Sequence, residues 1–184
     1  MKSIDWKNDY YPLETFVTGP TASGGDLAAV RAGLDLLIHQ KEERLRKLAA
    51  LVGKYSVVLD HSDQSLMDLN AFVSEGLEPH ALHDHISFEW AEVCLDTGTY
   101  IGETAILRHP DLEWAILEEQ DPIHPYYHDI GLRSGTLQAP IFSLAFTYAR
   151  NILDRNVAFP ELYTHQFLLM IRDVRSYLAE ERIN

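Results

Sequence analysis

Apolar positions along the chain fall into long helical runs separated by short extended ones. Leu27, Val30, Leu34, Leu37/Ile38, Leu45, Leu48 and Leu51/Val52 recur at intervals of three and four, the period of one buried helix face. A helix is therefore predicted there, capped by Ser23 or Asp26 and stopped by Gly53 in the C′ position. Within it, Gln40-Lys41-Glu42-Glu43-Arg44 places charge where the stripe should continue near residue 41. This predicts a solvated face with i,i+3 and i,i+4 pairs, or a helix that leaves the core there to meet a second copy in a homodimer. Tyr55 to Leu59, short and β-branched, predicts a strand. Ser62 then caps a helix through Leu66, Leu69, Phe72 and Val73 that closes at Gly76.

A central helix is predicted from about Asp84 to Leu107, with Ile86, Trp90, Val93, Thr97, Tyr100/Ile101 and Thr104 on one buried face. Its second stripe, Ala91, Cys94 or Leu95, Gly98, Gly102 and Ala105, is small. Two glycines inside a helix cost roughly 1 kcal/mol each relative to alanine, so a close neighbour must offset them. The helix stops at His109-Pro110, because the residue before proline is pushed out of the α region. Glu113 to Leu117 reads as a strand with Trp114 and Ile116 facing one way. Residues 118 to 139 are irregular, with short strands at Asp129 to Leu132 and Gly135 to Gln138. Pro140 fits the first position of a helix through Ile141, Leu144, Ala145, Tyr148 and Ile152, and a last helix starts at Pro160-Glu161. The expected fold is a single α+β domain over residues 1–184, with about five helices on a small, mainly antiparallel sheet. Residues 1–23 form an irregular amino-terminal arm whose aromatics, Trp6 and Tyr10 among them, dock on the core.

The 184 residues and 46% hydrophobic content suit one domain with a real core. Residues 1–10 contain no apolar signal core, and no run approaches the ~18 apolar residues of a membrane span, which predicts a cytoplasmic protein without a membrane partner. Cys94 is the single cysteine and lies on the central helix, so it reads as core. The net charge of -13, from 28 acids and 15 bases, argues against nucleic acid and favours a basic protein partner.

Candidate chemistry is sparse, and no cofactor is expected. Gly19 to Asp26 is glycine-rich but lacks a P-loop ending, and Asp60, Asp63 and Asp68 lack the alternation of a calcium loop. His80, His83 and His85, with Glu89, are weak metal candidates that would need His109, His124 or His128 from elsewhere. The alternative is exposed histidines around a helix cap at Asp84. His124, Tyr126, Tyr127 and His128 suit a recognition surface, since aromatics supply contact area with little entropy loss, or they close the sheet edge. Glu103 is either a buried hydrogen-bond anchor, paired with Arg108 or Arg133, or an exposed functional acid. No second acid stands at a definable spacing for acid/base work, which points to the anchor.

Tyr100-Ile101-Gly102-Glu103 followed by Trp114, with Leu59-Asp60, Ser65-Leu66 and Leu69 before it and Ala139-Pro140-Ile141-Phe142 after it, resembles the Tyr-x-Gly-Glu plus Trp pattern of small uncharacterised bacterial proteins. Some of those sit among toxin-immunity and accessory proteins. The resemblance spans roughly residues 55 to 150 and implies no catalytic residues. Together with the charge it leads to a non-catalytic acidic binding protein, of an immunity or inhibitor type, for a basic toxin domain. The alternatives are a metal-assisted hydrolase using His80, His83 and His85, and a structural subunit.

Overall fold

The computed structural model describes residues 4–10, 13, 26–77, 86–118, 127–154, 166–168 and 170–171. Helices α1 (Trp6–Asp9), α2 (Leu27–Gly53), α3 (Asp63–Gly76) and α4 (Phe88–Arg108) precede strands β1 (Glu113–Ile116), β2 (Ile130–Ser134) and β3 (Leu137–Ala139), and α5 (Ile141–Leu153) follows. Residues 166–168, 170 and 171 are also helical. The sheet has the order β1-β2-β3 and both pairings are antiparallel, with Trp114 opposite Leu132 and Leu132 opposite Ala139. This is the mixed helix-and-sheet fold that the hydrophobic pattern predicts. Among the described residues no helix is long and apolar enough to cross a membrane.

Local chemistry starts the helices. Asp26 accepts hydrogen bonds from the Ala28 and Ala29 amides at the head of α2, and Ser62 accepts one from Ser65 at the head of α3. Ser87 does the same for Trp90 at the head of α4. The central helix therefore begins at Phe88, and its cap is Ser87; the expected cap Asp84 lies outside the described residues.

Helix α4 is the hub. Every residue from Glu92 to Gly102 is buried, as expected of a helix enclosed on all sides, and it packs against α5 and α2. Its glycines explain one side of that enclosure. A Cβ on Gly98 would stand 2.7 Å from Cδ1 of Phe142, and one on Gly102 would stand 2.3 Å from the indole of Trp114. Those two rings stack on each other, with centroids 5.4 Å apart and planes 15° apart. The flat stripe thus carries a pair of aromatic rings, one from β1 and one from α5.

Two sequence expectations fail between α2 and α3. Tyr55 to Leu59 is not a strand: the amides of Tyr55, Ser56 and Val57 all bond to the carbonyls of Val52 and Gly53, so the helix end consumes the donors a strand would need. Gly53 is also not the left-handed terminator. It belongs to α2, Lys54 caps the helix in right-handed geometry, and Ser56 takes the positive φ of 65° instead.

Candidate functional site

The charged middle of α2 divides: Glu42 is exposed and Glu43 pairs with Arg46 at i,i+3, as a solvated face requires, whereas Arg44 turns into the core. Arg44 is 0% exposed and Lys47 6%, and both point at α4, where Glu92 and Asp96 are buried at 1% and 0%. Arg44 Nη1 donates to Asp96 Oδ1 at 2.7 Å and lies 3.6 Å from Glu92 Oε2. Its Nη2 donates to Gln40 Oε1 at 3.3 Å. The Lys47 ammonium pairs with Asp96 Oδ2 at 3.2 Å, and the Tyr10 hydroxyl donates to the same oxygen at 2.5 Å. Two cations and two anions therefore cancel inside the protein. Burial pulls the Lys47 ammonium below its usual pKa against the opposing attraction of Asp96. Burial first, and then the Asp96 charge, push the Tyr10 phenol far above its own.

The seam runs on toward the end of α4. Lys41 Nζ donates to both oxygens of Glu103 at 3.0 Å, and the Trp114 indole N–H donates to Oε1 at 2.7 Å. Neither expected arginine is the partner of Glu103. Arg108 is held by Asp63 and the His61 carbonyl, and Arg133 by Glu113 and Glu118. Lys41 on α2 thus faces Glu103 on α4, while Arg44 and Lys47 further along α2 face Asp96 and Glu92 earlier on α4, the sense that antiparallel helices require. Neither half of this pairing was anticipated from the sequence. The available signal was a third stripe on α4, Glu92, Asp96 and Glu103, at helical spacing.

A second polar network sits where the α2–α3 loop meets α4. Ser65 Oγ donates to the Ser62 carbonyl at 2.8 Å, so in its 2.6 Å bond with Tyr100 the phenol is the donor. Tyr100 Oη in turn accepts the His61 amide at 2.8 Å. Thr104 Oγ1 donates to the Tyr100 carbonyl at 2.7 Å, so His61 Nδ1 carries the hydrogen in its 2.8 Å bond to Thr104. The imidazole is half-buried, and its Nδ1 is committed to Thr104. The ring also stacks on Tyr100 at 4.9 Å, and His61 holds a φ of 63°. Positive φ in a non-glycine residue stores strain that the surroundings must hold in place. In the same loop Val58 is 69% exposed. The Asp60 carboxyl, fixed by the Ser62 hydroxyl and amide, is held below the usual carboxylate range.

Of the other residues expected to act, Tyr127 and His128 lie in the turn before β2, their rings stacked 3.9 Å apart, with His128 at a φ of 55°. Next to them the buried Asp129 accepts its neighbour's Ile130 amide at 2.8 Å and the Ser143 hydroxyl at 2.6 Å, tying the turn to α5. His124, Tyr126, His80, His83 and His85 lie outside the described residues. Among the described residues no group of three His, Cys, Asp or Glu is placed to hold a metal ion. Cys94 is buried, and burial pushes its thiol up to about 12. Comparison with protein families, characterised proteins and solved structures gives no match.

Proposed function

We propose that this chain is a non-catalytic, acidic binding protein of the immunity or inhibitor type, with a basic protein domain as its partner. The observation that carries the reading is where the charge goes. Arg44 and Lys47 offset Glu92 and Asp96 in the interior, so the whole formal charge of -13 falls on the remaining residues. A field of that sign speeds encounter with a cationic surface and disfavours acidic competitors. The α2–α3 loop supplies contact features to go with the field: an exposed Val58, the Asp60 carboxylate and the His61 imidazole, in a loop held by Tyr100, Thr104 and Arg108. The turn at Tyr127 and His128 is the second contact element in this reading. Glu103 serves as an anchor, since its carboxylate is taken by Lys41 and Trp114.

The test is capture of partners from native lysate at low and high salt on the immobilised protein, repeated with Asp60→Asn/His61→Ala. The expected result is a basic protein that is released by about 0.5 M salt, where the screening length is only a few ångströms, and is retained poorly by the variant. A partner held equally at both salt concentrations, or none at all, overturns the reading.

A further inference from the structure

The amino-terminal segment closes one end of the ionic seam, and it is held unlike any other element. Helix α1 has four residues and buries none of them. A single turn of that length has no stability of its own. Ile4 packs on the core, and three further contacts hold the segment. Trp6 meets Trp90 edge-on, with centroids 5.4 Å apart and planes 79° apart. Lys54 Nζ donates to the Asp9 carboxylate at 2.5 Å. Tyr10, the one deeply buried residue of the segment, donates to Asp96 while its ring lies 4.1 Å from the Lys47 ammonium. What lies beneath Tyr10 is charge. Lifting the segment uncovers apolar surface where Ile4, Trp6 and Tyr10 meet the core, and it also lets water solvate Lys47, Asp96, Arg44 and Glu92, ions that burial had penalised. Solvation of those ions offsets part of the cost of opening, which distinguishes this segment from one that covers apolar surface alone.

We propose that residues 4–10 are a removable strap, and that the seat beneath it is a docking site for a partner segment carrying the strap's own chemistry. That chemistry is a tyrosine directly preceded by an acid, with a tryptophan four residues before it. Each requirement follows from a contact. Asp96 Oδ2 needs a hydroxyl donor, Lys47 an aromatic face, Lys54 a carboxylate, and Trp90 a ring at its edge. Phenylalanine in place of tyrosine leaves Asp96 without its donor, and phosphotyrosine sets a dianion against that carboxylate. This site does not depend on the basic-partner reading, which concerns the outer surface.

The experiment uses the full chain. A fluorescein-labelled peptide with the sequence of residues 1–12 is titrated, by fluorescence anisotropy, against wild type and against Trp6→Ala/Tyr10→Phe. The weakened strap of the variant should leave the seat open, so its apparent affinity for the peptide should be at least about tenfold higher than that of wild type, whose own strap competes. Peptides with Tyr10→Phe, or with phosphotyrosine at that position, should bind about tenfold more weakly than the parent, in keeping with the loss of a charge-assisted hydrogen bond. No peptide binding to the variant overturns the proposal, as does equal binding of the altered peptides. Loss of the variant's cooperative urea unfolding overturns it too, because the segment would then be part of the core.

Discussion

The two flanks of helix α4 solve the same packing problem in opposite ways. On the side facing β1 and α5, Gly98 and Gly102 carry no side chain and the stacked rings of Trp114 and Phe142 lie directly on the backbone. On the side facing α2, Glu92, Asp96 and Glu103 reach across to Arg44, Lys47 and Lys41. The first flank is constrained by volume and the second by charge balance. An added methyl disturbs the first because packed interiors have no spare space. A removed carboxylate disturbs the second because an unpaired buried ion costs far more than the pair contributes.

The largest effect should come from unbalancing the ionic flank. Asp96→Ala removes the acceptor that Arg44, Lys47 and the Tyr10 hydroxyl share, and should cost about 3 to 5 kcal/mol in urea unfolding. Arg44→Met combined with Asp96→Leu should cost much less than the two single changes added together. Additive costs would mean that the ions act separately and that charge balance does not govern this flank.

The next effect belongs to the glycine flank. Gly102→Ala puts a methyl 2.3 Å from an indole that cannot retreat, since Phe142 stacks behind it and Glu103 holds its N–H. Overpacking of this kind costs about 1 to 3 kcal/mol. Gly98→Ala meets only the edge of the Phe142 ring, and alanine returns about 1 kcal/mol of helix propensity, so its melting temperature should fall less. The reverse order would show that the rings can yield. Glu103→Gln, at the end of the seam where Lys41 is 30% exposed, should cost only about 1 kcal/mol and leave the fold intact.

The smallest effect is set by pH and again separates the flanks. The Cys94 thiol is raised from 9.0 to about 12 by burial, so the folded state holds its proton after the unfolded chain has lost it. The stability this gives is complete below pH 9 and is lost as pH rises from 9 toward 12, by about 1 kcal/mol between pH 9 and 10. The Tyr10 phenol adds to the loss above pH 10, whereas Lys47, whose pKa is lowered from 10.5, contributes a gain that is complete once pH has risen past 10.5. Because Cys94→Ala removes only the thiol, chemical unfolding of that variant should show a shallower fall from pH 9 to 10 than wild type. An identical fall would show that the Cys94 thiol does not govern the alkaline sensitivity.

What the sequence determined by itself was whatever depends on the backbone and on local chemistry. The central place of α4, the need for a close neighbour at Gly98 and Gly102, the Asp26 and Ser62 caps, the strand at Trp114 and the helix after Pro140 all follow from spacing, missing side chains or missing donors within a few residues. Only the tertiary structure decided the fate of groups whose environment is built by distant segments. A charged turn at 40–44 has the same sequence appearance on a solvated face as in a buried seam, and only the acids presented by α4, about fifty residues further on, make Arg44 an interior residue. Tyr55 to Leu59 had strand composition, but among the described residues no strand pairs with it, and its amides bond to the carbonyls of the helix it had just left. A β-branched run becomes a strand only when a partner edge is present, and a charge becomes core only when its counterion is buried with it. Both conditions are set by the fold.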